Sequence, residues 1–277
     1  MANRLATWIL STALVLGSAG CSEEHKQEPL EEQTKTTQTA VKTEANQYLE
    51  NFPENIPGAG NIKKNETEGA ERCLVHIKQM HDNPASHHIP TKDEILSREY
   101  KIRQDNKIIP PEYGVLLIQN IYQGVNDSQK GIYQILETIT QQGQEVLMEG
   151  VFDRDNIDKM NAEFSDFYLR ELKRLKRTGY FNTREEYEYI PGAIIKLAAE
   201  GRLRAVPAEK SQFCHNRYNI EGREDALLEL ISQSGNPYSI SVYGSGHNFY
   251  DNIQEWNEKH PDNKISLIEV TPESHIK

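Results

Sequence analysis

From residue 73 onward the chain alternates short apolar runs with longer stretches of helical periodicity. Five runs read as buried strands: "CLVHIKQ" (73–79), "EVLMEGV" (145–151), "RLRAVPA" (202–208), "YSISVYG" (238–244) and "KISLIEV" (264–270). Each is short and carries the Val, Ile, Leu or Tyr expected of a strand covered on both faces. Between them, apolar residues recur every three or four positions. "DSQKGIYQILETITQQ" places Ile132, Ile135, Leu136 and Ile139 on one face and stops at Gly143. "TKDEILSREYKIRQ" opens on Thr91 with Glu94 three places on, the pattern of a capping box. A further helix runs from Asn156 to Arg177, and "TREEYEYIPGAIIKLAAEG" is interrupted at Pro191-Gly192. "GREDALLELISQSG" and "NFYDNIQEWNEKH" complete the helical set. Strands alternating with helices predict an α/β fold, a mainly parallel sheet with helices on both faces, joined by right-handed crossovers.

The first 65 residues do not share this pattern. Arg4, an apolar run from Leu5 to Leu16 and small residues before Cys21 describe a secretory signal over residues 1–20, too short to span a membrane. Cys21 after Ala19-Gly20 is similar to a bacterial lipobox, in which that cysteine carries the lipid, although Ser18 stands where leucine is preferred. Lipidation there would give an exported lipoprotein on the cell membrane or outer-membrane surface. Residues 21–65 are rich in Glu, Gln, Lys, Thr and Asn and read as a flexible polar tether, with Tyr48, Leu49, Phe52 and Ile56 as candidates for local docking. Residues 66–277 then form a single domain. The net charge of −11 argues against a nucleic-acid partner, and "RELKRLKR" is expected to be a solvated helix face. Cys73 and Cys214 either pair or stay buried as thiols, and they lack zinc-site spacing.

In parallel sheets ligands bind beyond the carboxyl ends of the strands. Four successive strands run there into His81, Glu149, Glu209 and His247. Imidazole with carboxylate suits zinc, manganese or iron, so His81, Glu149 and His247 are candidate metal ligands. Glu149, Glu209 and His247 are candidate catalytic groups, a carboxylate or imidazole acting as base on a bound water. His247 follows Gly244-Ser245-Gly246, glycines expected to clear room for a histidine on a partly exposed loop. Arg223-Glu224 reads as a helix cap with a salt bridge, and His76 as a buried residue inside its strand.

At these motifs the chain resembles the TraB/TIKI, erythromycin-esterase-like and ChaN-like superfamily. "GSGH" (244–247) matches its Gly-x-x-His motif, "LMEG" its strand-borne glutamate Glu149, and "MHDNPASHH" the stretch after the first strand of ChaN-like proteins, where His81 stands. The first motif of that family has a glycine three places before its histidine, and Lys78 stands there in this chain. The resemblance implies hydrolysis of a peptide or ester bond, metal-assisted in TIKI-like members and through a His/Glu base in erythromycin-esterase-like ones. ChaN-like members imply instead a haem- or iron-binding lipoprotein without catalysis. A third reading is a degenerate domain that binds a partner. The ligand would be a small molecule, a peptide or haem.

Overall fold

The computed structural model describes residues 42–79, 90–97, 102–104, 107–152, 156–210 and 219–276 of the 277-residue chain. His81, Cys21, Cys214 and residues 1–41 lie outside them, and with them the signal and lipidation expectations. In chain order the elements begin with helix α1 (Glu44–Asn51), strand β1 (Ala59–Asn65) and strand β2 (Arg72–Gln79). Helix α2 (Lys92–Leu96), the small hairpin β3 (Arg103–Gln104) and β4 (Lys107–Ile108), and the long helix α3 (Pro111–Ile139) follow. Next come β5 (Gln144–Phe152), α4 (Ile157–Arg177), a 3-10 turn (Arg184–Glu186), α5 (Ala193–Ala199) and β6 (Leu203–Glu209). Helix α6 (Ile220–Gln233), β7 (Tyr238–Gly244), α7 (Phe249–Lys259) and β8 (Ile265–Pro272) complete the fold.

The main sheet has the order β1-β8-β2-β7-β5-β6. β1 runs antiparallel to β8, and every other neighbouring pair is parallel. Alternating residues of each strand face opposite layers, as strand periodicity requires. Cys73, Val75, Ile77, Ile240 and Val242 pack with Leu49 of α1, Ile132, Ile135 and Leu136 of α3, Met160 of α4 and Ile194 of α5. Leu74, Leu147, Val206, Tyr243 and Leu267 pack on the other side with Leu227, Leu228 and Ile231 of α6 and Phe249 and Ile253 of α7. The sheet is therefore covered on both faces, and its five parallel strands are the five apolar runs of the sequence.

Local signals account for the helix ends. Asn156 caps α4 by accepting from the Lys159 N–H at 2.9 Å. Thr91 and Glu94 form the expected reciprocal capping box, but α2 stops at Leu96. α3 is longer than its apolar spacing shows, 29 residues beginning with Pro111 where a missing N–H costs nothing. The exposed edge of the sheet is guarded. The Asn161 amide on α4 donates to the Ala205 carbonyl and accepts from the Ala205 N–H, both at 2.9 Å, which closes the free side of β6 to another strand.

The fold begins earlier than residue 66. Within the stretch read as tether, α1 and β1 are integral to the domain. Leu49, Phe52 and Ile56 are buried, and the Tyr48 ring stacks on Tyr238 at 3.9 Å between centroids. β1 carries few apolar residues because it is an edge strand whose pairing with β8 supplies the order. Leu49→Ala should cost about 2–5 kcal/mol, as truncations of buried leucine do. Denaturant unfolding would read that loss, whereas a mobile tether predicts no change in midpoint.

Candidate functional site

β2, β5, β6 and β7 are parallel, so their carboxyl ends share one edge of the sheet. Glu149 lies inside β5 rather than at its end. There the β5–β6 register slips, Met148 pairing with Pro207 and Phe152 with Glu209, so three residues of β5 face one of β6. Gly150 takes φ +76°, a left-handed conformation that side-chain-bearing residues adopt at a cost, and this bulge sets the direction of Glu149. Glu209 is the last residue of β6, and His247 sits three residues past the end of β7. The turn before His247 is tied to the neighbouring strand by Ser245 N–H donating to the Gln79 carbonyl at 2.7 Å. Arg223 and Glu224 enter from the first turns of α6.

These five side chains form one buried cluster. Their side-chain exposures are 9% for Glu149, 2% for Glu209, 10% for Arg223, 3% for His247 and 5% for Glu224, low enough for local dielectric to matter. A single nitrogen of Arg223, Nη2, donates to Oε1 of both Glu149 and Glu209. Backbone donors complete the carboxylates: Gly244 N–H to Glu149 Oε2 at 2.5 Å, and Gly150 N–H to Glu209 Oε1 at 3.1 Å. His247 lies between two glutamates, with Nε2 3.3 Å from Glu149 Oε1 and Nδ1 2.9 Å from Glu224 Oε1. The same Glu224 oxygen accepts the Asn248 N–H at 3.0 Å, so the carboxylate is held in place as it orients the ring.

Electrostatics follow from this packing. Burial alone would lower the His247 pKa, but hydrogen bonds and charge from Glu149 and Glu224 hold it above its ordinary value. Burial likewise opposes the charge on Arg223, and Glu209 and Glu149 outweigh it, raising that guanidinium further. Aromatic rings wall the histidine: Tyr243 meets it edge-on at 4.8 Å and Phe249 lies nearly parallel at 5.9 Å. His76 belongs to the same wall, edge-on to Phe249 at 4.8 Å, with Nε2 3.4 Å from the Tyr243 carbonyl. Its complete burial drives its pKa down to about 3, so it stays neutral near pH 7.

Three of the four strand-end residues come together as expected, and His81 lies outside the described residues. His247 is not on a partly exposed loop: it is 5% exposed, with a carboxylate oxygen 2.9 Å from Nδ1 and another 3.3 Å from Nε2. Gly246 does not clear room for it either, since an added Cβ would meet nothing within 4 Å. Lys78 pairs with Glu269 of β8 at 2.8 Å. Cys73 is a buried free thiol whose pKa burial pushes up to about 12. Arg223 and Glu224 are not a helix cap, because Asn219 caps α6 and both charged side chains point inward. The missed signal was spacing. Arg223 precedes Leu227 and Ile231 by four and eight positions, and Glu224 precedes Leu227, Leu228 and Ile231 by three, four and seven, so they belong to the buried stripe of α6, where a charge requires a partner.

Among the described residues no group of three or more His, Cys, Asp or Glu side chains is arranged to hold a metal ion. The donor chemistry gives the reason. The Glu149 and Glu209 oxygens that would bridge an ion already converge on the Arg223 guanidinium. His247 Nδ1 is committed to Glu224. A divalent cation would have to sit against a fixed positive charge, so these residues do not fit one as they stand. Haem requires a broad apolar slot with a histidine nitrogen directed into it, and both ring nitrogens of His247 face carboxylates. Comparison with known proteins found no family model that matches the chain, and no match among curated proteins or solved structures.

Proposed function

We propose that the cluster is a hydrolytic site in which His247 acts as general base toward water attacking an ester or peptide bond. The observation that carries this reading is the buried Glu224–His247–Glu149 line, with imidazole nitrogens 2.9 and 3.3 Å from the flanking carboxylates. A base oriented by a third group is the arrangement that general-base catalysis uses. Glu224 fixes the ring and its tautomer. Glu149 lies on the Nε2 side, where a proton taken from water would arrive. Arg223 pairs with Glu149 and Glu209 and supplies positive charge for a developing oxyanion. Its Nε–H is buried with no acceptor, a spare donor in the cluster. No step requires a metal ion.

The test is a panel of chromogenic esters and peptide amides assayed with purified protein in chelator. Turnover by the wild type that is lost in His247→Gln supports the reading, and equal turnover by the two proteins refutes it. The proposal places the domain outside the cell, anchored through Cys21. No helix among the described residues is long and apolar enough to cross a membrane. Cys21→Ser should shift the protein from the membrane fraction to the soluble fraction, and unchanged membrane retention would count against lipid anchoring.

A further inference from the structure

Cations on the surface of this acidic chain tend to be paired: Lys42, Arg202, Arg204, Lys210 and Lys259 each meet a carboxylate. The C-terminal half of α4 departs from that pattern. Arg170, Lys173, Lys176 and Arg177 are exposed, and none of them has a carboxylate partner among the described residues. Leu169, Arg170, Lys173 and Arg177 recur at helical spacing and line an open groove of about 590 Å³, bordered also by Thr91 and Thr178. Two acids, Asp166 and Glu171, reach the same groove, but Glu171 is taken up by Arg174 at 2.7 Å. The groove is therefore positive in a chain of net charge −11. Cations in the last turn of a helix offset its dipole, which accounts for Arg174, Lys176 and Arg177. Arg170 and Lys173 stand before that turn, and the dipole does not explain them.

The stripe is not purely ionic. Leu169, exposed by 54%, stands in the middle of it. α2 and the first half of α3 pack with α4 in one apolar cluster that includes Ile95, Val115, Tyr122, Leu172 and Leu175. Those two helices add Leu96, Tyr113 and Leu116 to the exposed apolar side chains of this layer. Unpaired cations beside exposed leucine and tyrosine suit the surface of an anionic bilayer. There the charged heads meet lipid phosphates and the apolar tips enter the headgroup boundary. A free anion would use the cations alone and gain nothing from Leu169. We infer that the C-terminal half of α4 is a membrane-apposed surface that binds anionic phospholipid. Arg170, Lys173 and Arg177 supply the charge and Leu169 the apolar contact. This surface is separate from the His247 cluster, and its failure would leave both the hydrolytic reading and the lipid anchor at Cys21 untouched.

The experiment is co-sedimentation of the full chain carrying Cys21→Ser, which removes the lipid anchor, with phosphatidylglycerol or phosphatidylcholine vesicles. Binding to phosphatidylglycerol should be at least about tenfold tighter, and it should vanish at about 1 M salt, where the screening length falls to about 3 Å. Arg170→Gln, Lys173→Gln and Arg177→Gln combined should weaken that binding by about 100-fold, the loss expected of three basic residues beside an anionic surface. Leu169→Ser should weaken it by about tenfold. All four side chains are exposed, so melting temperatures should stay at the parent value. If the triple variant does not fold, Lys173→Glu alone carries the charge test, with about a tenfold loss expected. The inference is overturned by equal binding to the two lipids, or by charge variants that bind as the parent does, as attachment through the leader would. It is overturned equally if inorganic phosphate at constant ionic strength displaces the protein from vesicles, the mark of a free-anion site. Tighter binding to soluble polyglutamate than to vesicles would also overturn it, in favour of an acidic protein partner.

Discussion

His247→Gln should lower the rate of ester or amide hydrolysis by about 10²–10⁴, the range that a positioned general base contributes. Glutamine can still donate to one of the two carboxylates but cannot take a proton from water, so substrate binding should change far less than turnover. A fall in kcat with a nearly constant KM is the expected pattern. The substitution should also destabilise the domain, because the two carboxylates lose part of their hydrogen bonding at a site that is 5% exposed. A cost of about 1–3 kcal/mol is appropriate for weakened hydrogen bonding of buried charged groups. That is small beside the rate effect, and circular dichroism at the assay temperature separates the two.

Arg223→Ala should be the most destabilising single change at the cluster. Breaking a buried ion pair from one side leaves the other charge uncompensated and costs about 3–5 kcal/mol. Here one guanidinium serves two carboxylates, with side-chain exposures of 9% and 2%, so the upper part of that range applies. Against a typical total stability of about 5–15 kcal/mol, the loss is a large fraction. Denaturant unfolding at pH 7 measures the effect, and a loss within ±0.5 kcal/mol, typical of surface substitutions, would show that the pairs are not formed.

The parts of the fold that local chemistry dictates were legible in the sequence. The five parallel strands announce themselves as short apolar runs because both faces are buried. Asn156 and Thr91 mark helix starts because capping is a local hydrogen bond. What depends on distant partners was not legible. β1 has a polar composition and becomes a strand only by pairing with β8, some 200 residues away in the chain. The first half of α3 carries Gly114 and Gly124 and exposed Tyr113 and Leu116, which blur its apolar stripe. At the site, Glu149, Glu209 and His247 could be found because strand ends are where a parallel sheet presents chemistry. The bulge at Gly150 could not, since it is a property of the β5–β6 register. Arg223 read as part of a helix cap with a salt bridge, although its place on the inward face of α6 held the clue.

The central claim is that His247 is a base whose ionisation is set by the glutamates around it, Glu149 first and then Glu224 through Nδ1. The direct measurement is the pH dependence of kcat/KM on an ester substrate for wild type and Glu224→Gln. A base must be unprotonated to act, so activity should rise with pH through the His247 pKa, which Glu149 and Glu224 hold above its ordinary value. Replacing Glu224 by glutamine removes one negative neighbour, lowers that pKa and should move the acid limb of the profile to lower pH. A limb that stays where it was, or a flat profile in both proteins, would contradict the assignment of His247 as the catalytic base.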